Sequence, residues 1–98
     1  MISINALQRR YLRAQAHALH PVVMIGDAGL SEAVMREIDI NLKSHELIKI
    51  RVLGDDRDAR ATMLTTICET LGAVNVQHIG KLLIIYRPAE KPKLALPK

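Results

Sequence analysis

The stretch His20-Pro21-Val22-Val23-Met24-Ile25-Gly26-Asp27-Ala28-Gly29-Leu30-Ser31-Glu32-Ala33-Val34 decides how the chain folds. Pro21 biases His20 to extended backbone, and the apolar run Val22 to Ile25 reads as a short buried strand. The run breaks at Gly26-Asp27-Ala28-Gly29, and Ser31 supplies the N-cap of a helix. A glycine at each end of the tetrapeptide permits φ > 0 and close backbone approach by a partner. The helix behind it directs unpaired N–H groups and the positive end of its dipole at the same space, which suits an anion, above all a phosphate. On these four residues alone the plainer reading is a tight strand-to-helix turn, because Gly-x-x-Gly is common by chance.

Working outward, Ser3 or Asn5 can cap a first helix to about Ala18, with Ile4, Leu7, Tyr11, Ala14 and Ala18 on one stripe. Arg9, Arg10 and Arg13 share another face, either simply solvated or contacting phosphate. In the second helix Leu30, Val34, Ile38 and Leu42 form the apolar stripe, with Leu30 and Met35 as a staple and Glu32, Arg36, Glu37, Asp39 and Lys43 toward water. Leu47 to Leu53 alternates as a strand, placing Lys49 and Arg51 opposite Ile48, Ile50 and Val52. An aspartate caps a third helix that stops at Gly72, with Ala59, Met63, Leu64, Ile67 and Leu71 inward and Cys68 beside them. Ala73 to Ile79 is a third strand, Gly80-Lys81 a II′ hairpin turn, and Leu82 to Arg87 a fourth strand. Its unbroken apolar run marks a central strand covered on both faces. The order α-β-α-β-α-β-β is an α/β fold with a four-stranded mixed sheet and packed helices, in which the second and third helices cross between parallel strands. Lys49, Arg51, Asn75 and Gln77 are expected on the more polar sheet face. Residues 1–88 form one domain, and 89–98, with Lys91, Lys93, Pro92 and Pro97, an extended, unanchored basic tail.

The 98 residues allow a single core, and 49% apolar residues allow it to fold alone. Cys68, the single cysteine, excludes an internal disulfide and points to a reducing, cytoplasmic setting. The start Met1-Ile2-Ser3-Ile4-Asn5 has no leader character, and no apolar run is long enough for a membrane span. Residues 1–25 carry +3, residues 81–98 carry +4 and the middle −3, for a net +4. Segregated positive charge suggests a polyanionic partner. An anionic membrane fits less well, since the chain has no Trp or Phe to anchor it.

Several stretches in order then carry a resemblance: Gln8-Arg9-Arg10-Tyr11-Leu12-Arg13, Ala16-His17, Pro21-Val22-Val23, Gly26-x-x-Gly29-Leu30, His45-Glu46-Leu47-Ile48-Lys49, Gly72-Ala73, Ile79-Gly80-Lys81 and Tyr86-Arg87-Pro88. Together they resemble the YhbY-type RNA-binding family, or CRM domain. The resemblance implies a fold similar to KH domains and to the C-terminal domain of translation initiation factor three. It implies RNA binding through the glycine loop and nearby basic residues, and, for single-domain bacterial members, precursors of the large ribosomal subunit. The expected RNA site is Gly26, Asp27, Ala28 and Gly29 with Lys49, Arg51, Lys81 and Arg87, supported by Arg9, Arg10 and Arg13. Asp27 departs from the family pattern, since a carboxylate repels a phosphate. No Gly-x-x-x-x-Gly-Lys loop or Gly-x-Ser-x-Gly elbow is present, so no catalytic residue, metal or cofactor is expected. The alternative is a protein-interaction module docking on a ribosomal protein or assembly factor. The chain is expected to act as a monomer, and with Tyr11 and Tyr86 as its only aromatic residues besides histidine its RNA contacts should be phosphate-heavy.

Overall fold

Two clusters of apolar side chains lie on opposite faces of one sheet. The computed structural model describes residues 2–98; Met1, which opens the stretch read for a leader, lies outside the described residues. The elements are α1 (Ala6–Ala16), β1 (Val23–Ile25), α2 (Glu32–His45), β2 (Leu47–Val52), α3 (Arg57–Leu71), β3 (Val74–Ile79) and β4 (Leu82–Tyr86). The sheet order is β1-β2-β4-β3. β1 pairs parallel with β2, while β2 and β3 each run antiparallel to β4. β2 and β3 are therefore parallel, and α2 and α3 each join parallel strands, which meets the condition for both to act as crossovers. β4 is central, and Leu83 to Tyr86 are all buried.

The larger core packs Ile38 and Leu42 of α2 and Leu64 and Ile67 of α3 on Val23, Ile25, Ile48, Ile50, Val52, Leu83 and Ile85. Leu30, Val34, Met35, Met63, Cys68 and Leu71 close its rim, so the stripes expected of these helices hold apart from Ala59. The smaller core packs Leu12 and Ala16 of α1 on Leu47, Val76, Ile84 and Tyr86, with Leu94 and Leu96 against it. Caps follow from local chemistry. Asn5 and Gln8 form a capping box, Ser31 and Asp56 cap α2 and α3, and Gly72 ends α3 at φ +66°. Gly80 takes φ +53° while Lys81 does not turn positive, the pattern of a II′ turn.

Five expectations need correction. α1 ends at Ala16, and its buried stripe runs through Leu12 and Ala16, leaving Leu7, Ala14 and Ala18 exposed. Alanine-rich helices offer two stripes of similar weight, and here the one that carries Leu12 wins. β1 is covered on one face, so Val23 and Ile25 are buried while Met24, beside Arg51 on the other face, is 58% exposed. A bulge between Asn75 and Gln77 puts Gln77 opposite Ile84 but Asn75 opposite Ile85, on the other sheet face from Lys49 and Arg51. Asp39 is half-buried and ion-paired rather than solvated. Finally, the tail is extended but anchored, through Leu94, Leu96 and the Gln8 side chain, which donates to the Pro97 carbonyl at 3.0 Å.

Candidate nucleic-acid interface

The glycine loop is a hydrogen-bonded turn. Gly29 N–H donates to the Gly26 carbonyl at 3.0 Å, Ser31 N–H to the Gly29 carbonyl at 3.0 Å, and Val34 N–H to Ser31 Oγ at 3.2 Å. Gly29 sits at φ +68° and so favours glycine. Gly26 has no such need, and a Cβ built on it meets nothing within 4 Å. Nothing inside the molecule calls for bare backbone there. Asp27 and Ala28 are exposed at the tip, and Asp27 makes no ion pair among the described residues.

The sheet brings part of the expected site to this end. Leu53 N–H donates to the Ile25 carbonyl at 2.9 Å and Val52 N–H to the Lys81 carbonyl at 2.8 Å, so the glycine loop, the end of β2 and the hairpin turn lie together. Arg51 stands opposite Met24 and Leu82, and Lys49 opposite Ile84, on the face that α1 covers only in part. Lys81 Nζ lies 3.1 Å from Asp55 Oδ1, both exposed, a pair that contributes little stability and opens readily for another anion. Among the described residues Arg10, Arg13, Lys49 and Arg51 have no acidic partner.

Two expected contacts are drawn away. Arg9 turns inward from α1, its guanidinium donating to the backbone carbonyls of Asn75 and Val76 at the bulge. Arg87 follows the far end of β4, where Tyr86 pairs with Leu47 at the start of β2, opposite the glycine loop. Its guanidinium donates to Asp39 Oδ1 at 2.8 Å, the Leu71 carbonyl at 3.0 Å and the Asp39 carbonyl at 3.2 Å, tying α2 to the end of α3. Hydrogen bonding to Arg87 outweighs burial and holds the Asp39 carboxyl below the usual carboxylate range.

Glu46, which the sequence offers only as part of a helix-end turn with His45, is a structural residue. It takes φ +64° after α2 and is 1% exposed. Its carboxylate accepts N–H bonds from Ala89 at 3.0 Å, Lys93 at 2.7 Å and Leu94 at 3.1 Å. Burial pushes its pKa up, but these three donors and the Lys93 charge pull it below the ordinary value. The only signal was a carboxylate just past a helix end, which many surface residues share. Arg60, 7% exposed, donates to the Gly54 carbonyl at 3.1 Å. Among the described residues no group of three His, Cys, Asp or Glu side chains could hold a metal. No helix of the described residues is long and apolar enough to cross a membrane.

A family model described as the CRS1 / YhbY (CRM) domain matches residues 4–87. The chain belongs to the CRS1/YhbY (CRM) domain family. The match takes in all seven elements of the CRM domain and ends where the tail begins. A Haemophilus influenzae protein named an RNA-binding protein is 42% identical, over 100% of this chain and 99% of its own. A Pseudomonas aeruginosa protein, also proposed to bind RNA, is 35% identical over 93% of this chain and 88% of its own. The solution structure of a Staphylococcus aureus protein proposed to bind RNA superposes with a TM-score of 0.84, at 35% identity, over 97% of this chain and 100% of that one. The mixed α/β architecture expected from the element order is thus the fold this CRM domain shares with a solved structure.

Proposed function

We propose that this CRM domain binds RNA, gripping the sugar–phosphate backbone at the Gly26–Gly29 loop. Gly26 carries the reading: it is bare backbone with open space around it and no conformational need for glycine. A strand of RNA can lie there against main chain, next to Arg51 and Lys81 and in reach of the first-turn amides of α2. Lys49, Arg10 and Arg13 extend the positive surface on the same side of the sheet, while Arg9 and Arg87 serve the fold. The names of the relatives support RNA as the polyanion. Ribosomal RNA of the large-subunit precursor is the RNA that the family resemblance suggests, with the protein acting as a monomer in the cytoplasm and without catalysis.

Gly29→Asp tests the grip. It places a side chain and a negative charge in the phosphate approach, and at φ +68° it adds about 1 kcal/mol of backbone strain. RNA affinity should fall at least tenfold while the circular dichroism spectrum stays native. Unchanged affinity with a native spectrum would remove the loop from the site. Crosslinking in growing cells followed by sequencing tests the choice of RNA, and recovery of messenger or transfer RNA alone would overturn the large-subunit assignment. One observation favours a protein-docking reading instead: Val22, Met24, Leu53 and Ile79 are exposed apolar residues. Complex formation insensitive to salt would support that reading.

A further inference from the structure

A cavity of about 390 Å³ opens between the end of α1, the segment leading into β1 and the first half of β2. Its walls include Gln15, His20, Val22, His45, Lys49 and Leu94. That volume lies at the small end of the range for small-molecule sites, about 300–1,000 Å³. No Asp or Glu lines it, and the neighbouring Glu46 carboxylate is turned to the tail amides, including that of Leu94, which forms one wall. The lining is mainly apolar, with two imidazoles exposed at it, one amide that can donate and accept, and one ammonium.

We infer that this cavity receives one unpaired nucleobase of the bound RNA. The inference rests on the RNA-binding reading above and adds a base contact to it. Charge complementarity favours a base on an anionic strand: the lining holds Lys49 and no acid and is otherwise mainly apolar, and an imidazole can stack on a base as other aromatic rings do. Continuity favours it as well. Val22 N–H donates to the Lys49 carbonyl at 3.0 Å, so the cavity adjoins the strand that carries Lys49 and Arg51 to the glycine loop. The chain offers few other rings. It has no Trp or Phe, and Tyr86 is buried in the smaller core. Gln15 provides the amide that a Watson–Crick edge can address.

The test compares a short single-stranded RNA of mixed sequence with a wholly abasic strand of the same length. It is run on the parent and on the His20→Ala/His45→Ala variant, both at the same mildly alkaline pH. The parent should bind the base-bearing strand roughly 5- to 150-fold more tightly, the range for one stacked base. The variant should lose that preference while its log–log salt slope stays the same, because no phosphate contact has been removed. As a check that needs no variant, the His20 and His45 ring resonances of the parent should move with the base-bearing strand and not with the abasic one. Equal binding of the two strands by the parent, or a preference that survives the double change, overturns the pocket and leaves backbone binding intact. A parent that binds neither strand overturns the RNA reading and the pocket with it.

Discussion

Gly26 and Gly29 look alike in the sequence but answer to different constraints. Gly29 turns the chain at φ +68°, whereas Gly26 has no positive φ and a Cβ added to it would meet nothing within 4 Å. Gly26→Ala should therefore leave stability unchanged or raise it by up to about 1 kcal/mol, through lost freedom of the unfolded chain. It should lower RNA affinity several-fold, because the added methyl stands where main chain meets the ligand. Urea midpoints and fluorescence anisotropy measure the two effects. Parental affinity in the alanine variant would mean that the backbone at Gly26 is not approached. Cys68 illustrates a residue without such a role. It packs beside the larger core, and burial pushes its thiol up to about 11. The native protein should react with a thiol reagent far more slowly than the urea-unfolded chain at neutral pH, and equal rates would place the sulfur in water.

At the scale of elements, α1 separates arginines that the helical wheel groups together. Arg9 holds the carbonyls at the β3 bulge, while Arg10 and Arg13 face solvent. Arg10→Ala/Arg13→Ala should weaken binding to all RNAs alike and flatten the log–log salt slope by roughly 1 to 1.5, at about 0.7 per phosphate of a single strand. Arg9→Ala should instead lower the unfolding midpoint, at a cost of about 1–3 kcal/mol, by removing a charged donor shared by two carbonyls at the bulge. A slope unmoved by the double change would put α1 outside the RNA footprint. Elements governed by local chemistry were legible in the sequence: a first cap at Ser3 or Asn5, which proves to be Asn5, the cap at Ser31, an aspartate cap for α3, which proves to be Asp56, the stop at Gly72, and the central strand in the run Leu82 to Tyr86. Features set by tertiary pairing were not. The bulge that turns Asn75 away depends on its register with β4, and the role of Arg87 depends on Asp39, far off in sequence. A basic residue looks the same in a sequence whether it faces RNA or a carboxylate of its own fold.

At the scale of the molecule, the last segment closes the smaller core, and one buried carboxylate holds it there. Three tail amides converge on Glu46, and Leu94 and Leu96 pack below. Because these donors lower the folded pKa of Glu46 from its ordinary 4.5, the charged form stabilises the folded state. That contribution is complete above pH 4.5, the unfolded value, and is lost as pH falls through the lower folded value. Asp39, also held down from 3.8 and chiefly by Arg87, adds loss of the same sign that begins below pH 3.8, its unfolded value. Glu46→Gln keeps the shape but loses the charge and one acceptor oxygen. It should cost about 2–3 kcal/mol at neutral pH, as expected for charge-assisted bonds replaced by poorly matched ones. Its stability should then fall less than the parent's on acidification, since only the Asp39 part remains. Urea midpoints at pH 7 and pH 3, with amide exchange at Lys93 and Leu94, separate the two carboxylates. In the parent those amides should lose protection in acid before the β4 amides do, and in the variant they should already exchange quickly at neutral pH. Superimposable pH profiles for the two proteins would show that Glu46 does not hold the tail, and apolar packing of Leu94 and Leu96 would then have to suffice.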